Sequence, residues 1–203
     1  MKNLLSSFFK PKAKAIIIVS GLPRSGTSMM MKMLEAGGLA VLTDNLREAD
    51  VDNPKGYYEF ERVKQLDKGD AAWLPMAQGK VVKIISMLLP HLPDDYQYKI
   101  IFMRREINEI LASQRKMLVN RGMPTDEVAE AELARSFQKH LMQVQNWLQS
   151  QPNIEMLYVH YNDLLKMPAQ TVPPINHFLG NTLAIEPMVS VVDPKLYRNR
   201  VEA

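Results

Sequence analysis

Cysteine is absent from this chain of 203 residues, and its absence excludes several kinds of chemistry at once. There can be no disulfide framework, no thiolate nucleophile and no zinc or iron–sulfur site held by cysteine. The chain has four histidines, which do not cluster with acidic residues at the spacing of a metal site: His91, His140, His160 and His177. We therefore expect a function that needs no metal ion.

Long hydrophobic runs are also missing. The longest candidates, 15–19 and 87–89, are far shorter than the roughly 18 residues that a membrane-spanning helix needs. Residues 1–13 contain the patch Leu-Leu-Ser-Ser-Phe-Phe among lysines, without the longer apolar stretch and small-residue cleavage site of a secretory leader. We expect a cytoplasmic protein with no integral membrane segment, in which 1–13 is an arm that docks ahead of the first strand or, alternatively, a peripheral membrane foot.

Strong net charge is lacking as well. The formal charge of +3 is too small to make nucleic acid or anionic lipid the expected partner. Its distribution is uneven, because residues 44–61 carry six acids and two bases whereas residues 99–121 carry six bases and two acids. A phosphate-binding site would use the basic segment, and a general base or an acceptor region could use the acidic one.

Strands and helices alternate along the rest of the chain. Hydrophobic residues make up 46% and charged residues 23%, as in an average soluble globule. Continuous or alternating apolar runs predict strands, and periodic apolar positions predict helices. The predicted strands cover 15–20, 81–86, 98–103 and 154–160, and the predicted helices cover 29–36, 106–120, a long segment after Pro124, 162–165 and 171–179. With no repeat or linker, we expect one α/β domain over 14–203, with a mostly parallel sheet that binds ligands at the carboxyl ends of its strands.

The long helix after Pro124 is amphipathic. Its apolar positions alternate spacings of four and three and form one stripe: Ala134, Phe137, Leu141, Val144 and Leu148. Such a stripe packs against the protein's own sheet or against a second copy of the chain, so a homodimer is one of the expectations.

A glycine loop follows the first predicted strand. Residues 21–28 read Gly-Leu-Pro-Arg-Ser-Gly-Thr-Ser, which fits the phosphate-binding pattern Gly-x-x-x-x-Gly-Lys-Ser/Thr except that threonine replaces lysine. Backbone amides at the start of a helix still form an anion cradle, to which Ser25, Thr27 and Ser28 add hydroxyl groups. Arg24 is the only cation in the loop. The pattern predicts a phosphate site that lacks the lysine of nucleotide-hydrolysing enzymes.

The loop resembles the 5′-phosphosulfate loop of sulfotransferases that use 3′-phosphoadenosine 5′-phosphosulfate (PAPS). In that family a lysine or arginine stands where Arg24 is found. A second segment, 99–113, reads Lys-Ile-Ile-Phe-Met-Arg-Arg-Glu-Ile-Asn-Glu-Ile-Leu-Ala-Ser. It is similar to the family's 3′-phosphate element, a strand ending in arginine followed by a serine eight residues later. That spacing selects Arg105, rather than Arg104, together with Ser113.

A third segment strengthens the resemblance. Residues 158–168 read Tyr-Val-His-Tyr-Asn-Asp-Leu-Leu-Lys-Met-Pro, and Ile-Asn-His-Phe-Leu-Gly follows at 175–180. They are similar to the family's element after the last central strand, in which Tyr161 would contact the adenine. The family's glycine-rich carboxyl-terminal segment is absent, and the basic segment 192–200 stands in that region. The resemblance implies a three-layer P-loop fold, whose cofactor-binding residues are Arg24, Ser25, Gly26, Thr27, Ser28, Arg105, Ser113 and Tyr161.

Sulfuryl transfer, like phosphoryl transfer, needs in-line positioning and neutralisation of the charge that builds on the leaving group. Arg24 is one cation for this role. Lys83 is a second, because a charge in a buried strand is costly unless it faces a site, and small-molecule members of the family carry a lysine at the similar place. Those members have a base, histidine, two residues later, where this chain has Ile85.

Members that modify proteins and glycans instead use a glutamate some twenty residues after the loop cation. That spacing makes Glu48 the first candidate base, with Asp44 and Glu59 behind it. The resemblance therefore implies sulfuryl transfer from PAPS to a hydroxyl or amine of a small-molecule, glycan or peptide acceptor. Two alternatives remain open, a kinase-like phosphotransferase that uses Arg24 in place of the lysine and a nucleotide-binding protein without turnover.

Overall fold

A computed structural model describes residues 14–44, 46 and 56–193. The predicted arm 1–13, the candidate base Glu48 and the last ten residues lie outside the described part. The strands are β1 (Ile16–Gly21), β2 (Val81–Lys83), β3 (Tyr98–Arg104) and β4 (Ile154–His160). The α-helices are α1 (Thr27–Ala36), α2 (Leu74–Ala77), α3 (Ile107–Asn120), α4 (Glu127–Gln149), α5 (Tyr161–Lys166), α6 (Pro168–Phe178) and α7 (Ile185–Ser190), and 3₁₀ helices cover Glu61–Lys68 and Ser86–His91.

The four strands form one parallel sheet in the order β2-β1-β3-β4. From β1 the chain crosses to β2 on one side and then to β3 on the other side of β1. The two crossovers therefore diverge between β1 and β3, and ligands of open α/β sheets bind at the carboxyl ends of the strands at such a point. The predicted α/β fold with a parallel central sheet flanked by helices is confirmed.

Both faces of the sheet are buried, which explains why the strands read as apolar runs rather than as alternating patterns. On one face Val19, Ile101 and Val159 pack against α1 and against helices that follow β4. On the other face Ile18, Ile100 and Phe102 pack against the Glu61–Lys68 helix, α2 and α4. The sheet thus lies between two helical layers.

Two parts of the chain differ from the sequence-based expectation. β2 ends at Lys83, whereas the predicted strand continues to residue 86. Ile84 N–H still donates to Val19 O at 3.1 Å, but beyond it the chain turns into the Ser86–His91 helix. The short elements between 61 and 77, and α7, carry no long periodic signal and were not predicted.

The amphipathic helix α4 packs on the sheet through only part of its stripe. Val144 and Leu148 are buried, whereas Ala134 and Phe137 are half-buried. A hydrogen bond of 2.9 Å between Ser86 Oγ and His140 Nε2 ties α4 to the segment after β2. The homodimer stays a prediction.

Among the described residues, no helix combines the length and the apolar character needed to cross a bilayer.

The glycine loop connects β1 to α1 through left-handed backbone. Arg24 has φ 70° and Gly26 has φ 96°. Glycine is required at 26 for space as well, since a Cβ there would lie 2.4 Å from Tyr161 Cδ2. At Gly21 a Cβ would lie 2.7 Å from the carbonyl oxygen of Met103, so only glycine lets the loop start this close to β3. Both glycines hold the loop against the ends of β3 and β4.

Gly26→Ala should therefore destabilise the fold more than Gly38→Ala. Gly38 has nearly the same φ, 97°, but nothing within 4 Å of its Cβ position. Gly38→Ala should cost about 1 to 2 kcal/mol for left-handed backbone, and Gly26→Ala should cost about 1 to 3 kcal/mol more because of the clash with Tyr161. Urea unfolding of both variants measures the difference, and equal losses would show that Tyr161 moves aside freely.

His140 should make stability depend on pH. Burial lowers the pKa of its imidazole below the ordinary 6.5. Between the folded and unfolded pKa values the unfolded chain binds a proton that the folded protein lacks, so the free energy of unfolding falls as pH drops below about 6.5. Urea midpoints at about pH 7.5 and 5.5 should differ less in His140→Gln than in the wild type, and an identical pH dependence would contradict this assignment.

Candidate active site

The glycine loop presents polar groups where α1 begins. Gly26 caps α1 in left-handed backbone without a side-chain hydrogen bond, and the first N–H groups of a helix point away from it toward the loop. Ser25 is 1% exposed, and its Oγ has no hydrogen-bond partner. Thr27 and Ser28 form the first turn of the helix. The donor set fits an oxyanion such as a phosphate or sulfate.

Arg24, Arg105 and Ser113 meet at the carboxyl ends of β1 and β3, as the sequence predicts. Arg24 Nε donates to Ser113 Oγ at 3.0 Å, and Arg105 Nη1 donates to the carbonyl oxygen of Arg24, also at 3.0 Å. These residues are 89 and 81 positions apart in the chain. The loop and the strand-end element therefore form one site.

Tyr161 joins the same group from the start of α5. The Arg105 guanidinium carbon lies 4.4 Å from the centroid of its ring, and the ring also borders Gly26. Burial raises the pKa of the Tyr161 hydroxyl, although the nearby Arg105 charge opposes the rise. The phenol is therefore neutral in the working pH range. Its predicted contact with an adenine stays a prediction.

Sequence reasoning missed the carboxylate that neutralises Arg105. Arg105 Nε donates to Glu109 Oε2 at 2.9 Å, and the two side chains are only 6% and 3% exposed. Asn162 Nδ2 donates to the other oxygen, Glu109 Oε1, at 3.0 Å. The signal was present in the sequence, because Glu109 stands four residues after Arg105 beside the apolar positions of α3.

Lys83 belongs to a second polar group, at the end of β2. Its side chain is 10% exposed, and Nζ donates to the carbonyl oxygen of Tyr57. Glu59 Oε1 lies 3.8 Å from the same nitrogen. Tyr58, between these partners, has φ 53°, which is unfavourable for an aromatic residue, and its hydroxyl donates to Glu35 Oε2 at 2.6 Å. A strained backbone beside a buried lysine is typical of a functional site.

The three candidate bases have different positions. Asp44 accepts backbone N–H groups from Leu46 and Glu61, so its carboxylate is occupied in holding the start of the 3₁₀ helix. Glu59 is the acid of this set that pairs with Lys83. Two backbone hydrogen bonds bring Glu59 beside β2. Leu42 N–H donates to Val81 O at 2.8 Å, and Asp44 N–H donates to Glu59 O at 3.3 Å. Glu48 lies outside the described residues.

A cleft of about 260 Å³ opens beside the loop, between the carboxyl ends of β1 and β3. Ser25 and Arg105 line it together with Arg104 and His160. Arg104, which the spacing argument set aside, stacks on Tyr158 with 4.4 Å from its guanidinium carbon to the ring centroid. Over the ranges that the structure describes, no group of three or more His, Asp or Glu side chains could hold a metal ion.

Several solved structures share the fold. A sulfotransferase, STF1, from Mycobacterium tuberculosis H37Rv is 19% identical with a TM-score of 0.61, and the match covers 89% of this chain and 71% of that one. Mouse sulfotransferase SULT7A1, whose structure is complexed with PAP, is 16% identical with a TM-score of 0.53, and the match covers 93% of this chain and 65% of that one. The sulfotransferase domain from the curacin biosynthetic pathway is 16% identical with a TM-score of 0.51, covering 89% and 78%.

At the level of sequence, none of the curated proteins matches this chain significantly. The sulfotransferase domain family, however, matches residues 2–198. This match includes the glycine loop, the Arg105 element and the Tyr161 element, whose side chains meet in the structure. The chain therefore belongs to the sulfotransferase domain family.

Proposed function

We propose that this sulfotransferase uses PAPS as its donor and transfers the sulfuryl group to a hydroxyl or amine of its acceptor, without a metal ion. The observation that carries the proposal is the hydrogen-bonded meeting of Arg24, Ser113 and Arg105 at the point where the sheet's connections diverge. A doubly phosphorylated nucleotide needs donors for two anionic groups. A cytoplasmic location, expected from the sequence, belongs to the same proposal.

The loop is the proposed site of the 5′-phosphosulfate. The N–H groups at the start of α1 and the unpartnered hydroxyl of Ser25 would donate to its oxygens, and Thr27 and Ser28 add hydroxyl groups. The 3′-phosphate would bind Arg105 and Ser113. Glu109, itself held by Asn162, fixes one edge of the Arg105 guanidinium, and Tyr161 covers its face, so the remaining N–H groups have a defined direction.

The transfer itself requires charge neutralisation and removal of a proton. As the acceptor oxygen bonds to sulfur, the bond between sulfur and the bridging oxygen breaks, and negative charge builds on the leaving phosphate. Arg24 and Lys83 are the proposed cations for that charge. The acceptor's proton would pass to a carboxylate, and Glu59 is our candidate among the described acids because of its place beside Lys83. Glu48 remains the candidate that the sequence spacing favours.

Calorimetry tests the donor. The wild type should bind adenosine 3′,5′-bisphosphate at least about tenfold more tightly than adenosine 5′-phosphate, because a charge-assisted hydrogen bond to the 3′-phosphate contributes about 1.5 to 3 kcal/mol. It should also prefer the bisphosphate to ADP with magnesium. Preference for ADP with magnesium would instead support a kinase-like enzyme, and binding of the bisphosphate without transfer to any acceptor would support a nucleotide-binding protein.

The double variant Arg105→Gln/Glu109→Gln should lose the preference for the 3′-phosphate. Both charges are removed together, because Arg105→Ala alone would leave a buried carboxylate unpaired at a cost of about 3 to 5 kcal/mol. Ser113→Ala should weaken the preference by a smaller factor. Lys116→Gln, on the exposed side of the same helix, is the control that should change nothing. An unaltered preference in the double variant would refute the role of Arg105.

Substitution of the acids identifies the base. Phenols, alcohols and amines are first screened for the acceptor with which the wild type releases the bisphosphate fastest. Turnover of each variant is then measured as release of the bisphosphate with that acceptor. Glu59→Gln should lower kcat by about 10² to 10⁴, with little change in the KM for the donor. Asp44→Asn should mainly lower stability. If Glu59→Gln keeps the wild-type kcat and Glu48→Gln loses most of it, Glu48 is the base and Glu59 is not.

A further inference from the structure

Tyr58 has an unfavourable backbone conformation that the surrounding structure imposes. Its φ of 53° lies in the left-handed region, where the Cβ of a residue other than glycine crowds the following carbonyl oxygen. Such a conformation persists only where neighbouring contacts hold it, and it occurs mostly at functional sites. The Tyr58 side chain is half-buried against the core cluster that includes Met31 and Leu34 of α1. The contacts of the two adjacent residues show what the turn achieves.

Both neighbours of Tyr58 contact the same nitrogen. Lys83 Nζ donates to the carbonyl oxygen of Tyr57, and Glu59 Oε1 lies 3.8 Å from that nitrogen. The Lys83 side chain is only 10% exposed, so these two oxygens stabilise a charge that is largely withdrawn from water. Lys83 lies beside Val19, two residues before the glycine loop. The turn at Tyr58 thus brings a carbonyl group and a carboxylate to one cation on the strand beside β1.

The backbone of Glu59 is held from its other side. Thr43 Oγ1 donates to the Glu59 carbonyl oxygen at 2.8 Å, and Asp44 N–H donates to the same oxygen at 3.3 Å. Asp44 Oδ2 in turn accepts a hydrogen bond of 2.6 Å from Glu61 N–H. These bonds fix the chain from Glu59 onward, and the side chain of Tyr58 holds the turn that precedes it.

The Tyr58 hydroxyl connects this turn to α1. It donates to Glu35 Oε2 at 2.6 Å. Burial, and then this hydrogen bond, raise the pKa of the Tyr58 hydroxyl above its ordinary value, so the phenol keeps the proton that it donates. Glu35 lies near the end of α1, the helix that begins at the glycine loop. One helix therefore connects the loop with the turn that holds Glu59 and Lys83.

We propose that Tyr58 is a positioning residue, whose hydrogen bond to Glu35 keeps the carboxylate of Glu59 and the ammonium group of Lys83 in place for the transfer. This inference rests on the proposed function, in which Glu59 takes the acceptor's proton and Lys83 neutralises charge on the leaving phosphate. Tyr58 itself exchanges no proton with the acceptor. Because a misplacement of about 1 Å can lower a rate by about 10², loss of the hydrogen bond should affect turnover rather than binding of the donor.

Tyr58→Phe removes the hydroxyl and leaves the ring. With the acceptor chosen for the Glu59 experiment, kcat should fall about three- to tenfold, the factor that the net free energy of one hydrogen bond allows. The KM for the donor should stay within about twofold of the wild-type value. Tyr98→Phe is the matched control, because it removes a hydroxyl that donates to Pro93 O at 2.9 Å at the opposite end of the sheet. Wild-type kcat in Tyr58→Phe, or an equal loss in Tyr98→Phe, would overturn the proposal.

Variants of Glu35 and Glu59 test whether Tyr58 acts through its partners. Glu35→Ala should lower kcat by the same factor as Tyr58→Phe, and the two together should lower it no further, because each breaks the same bond. Glu35→Gln keeps an oxygen that accepts the bond and should retain most of the activity. Once Glu59→Gln is present, Tyr58→Phe should have no further effect, and a full additional loss would contradict the proposal. Glu35→Ala, at an exposed position, carries the test if Tyr58→Phe does not fold.

A labelling measurement separates this inference from the proposed function. The full-length protein is treated with the N-hydroxysuccinimide ester of acetate, and mass spectrometry gives the acetylation rate of each lysine. Tyr58→Phe should raise the rate at Lys83 about three- to tenfold and leave the rate unchanged at Lys99, which pairs with Glu155 near the start of β3.

The two failures then look different. If the wild type transfers to no acceptor, or if Glu59→Gln keeps the wild-type kcat, the proposed chemistry is wrong, and the rate at Lys83 alone decides whether Tyr58 holds the pair. If Glu59→Gln loses activity but Tyr58→Phe changes neither kcat nor the rate at Lys83, the role of Tyr58 is wrong and the proposed function stands.

Discussion

The buried guanidinium of Arg105 holds the site together. It extends from the residue after β3, bonds to the backbone of the glycine loop at Arg24, pairs with Glu109 in α3 and stacks on Tyr161 in α5. A cation with 6% exposure is stable there only because Glu109 neutralises it and Asn162 satisfies the second carboxylate oxygen. This ion pair therefore supports the contact between the loop and the end of β3, beside the Arg24–Ser113 hydrogen bond.

Much of the fold could be predicted from the sequence. Strands buried on both faces must be apolar throughout, so β1, β3 and β4 are visible as runs, and their alternation with periodic helices predicts a parallel sheet. The end of β2 could not be predicted, because it depends on where pairing with β1 stops rather than on the apolar run, which continues through Ile85. The 3₁₀ helices were missed because they are too short for a periodic pattern.

The candidate site, like the fold, could be predicted only in part from the sequence. The resemblance to the family's two phosphate elements implied that Arg24, Arg105 and Ser113 serve one nucleotide site, and the structure brings their side chains together. Spacing alone could not rank the acids, because a bridge between Val41 and Val81 places Glu59 closer to Lys83 than counting along the chain suggests. Nor could it show that Arg104 stacks on Tyr158 and donates to Gln145, which come from β4 and α4.

The hydrogen bond between Arg24 and Ser113 has a consequence for molecular recognition. Each side chain is held in one orientation by the other. Their rotational freedom has already been given up during folding, so association loses less conformational entropy at these two positions than it would with solvent-exposed, mobile side chains. The bond uses only the Nε–H of Arg24 and a lone pair of Ser113, so the Nη groups of the guanidinium and the serine hydroxyl hydrogen face an incoming anion in orientations that this bond has already fixed.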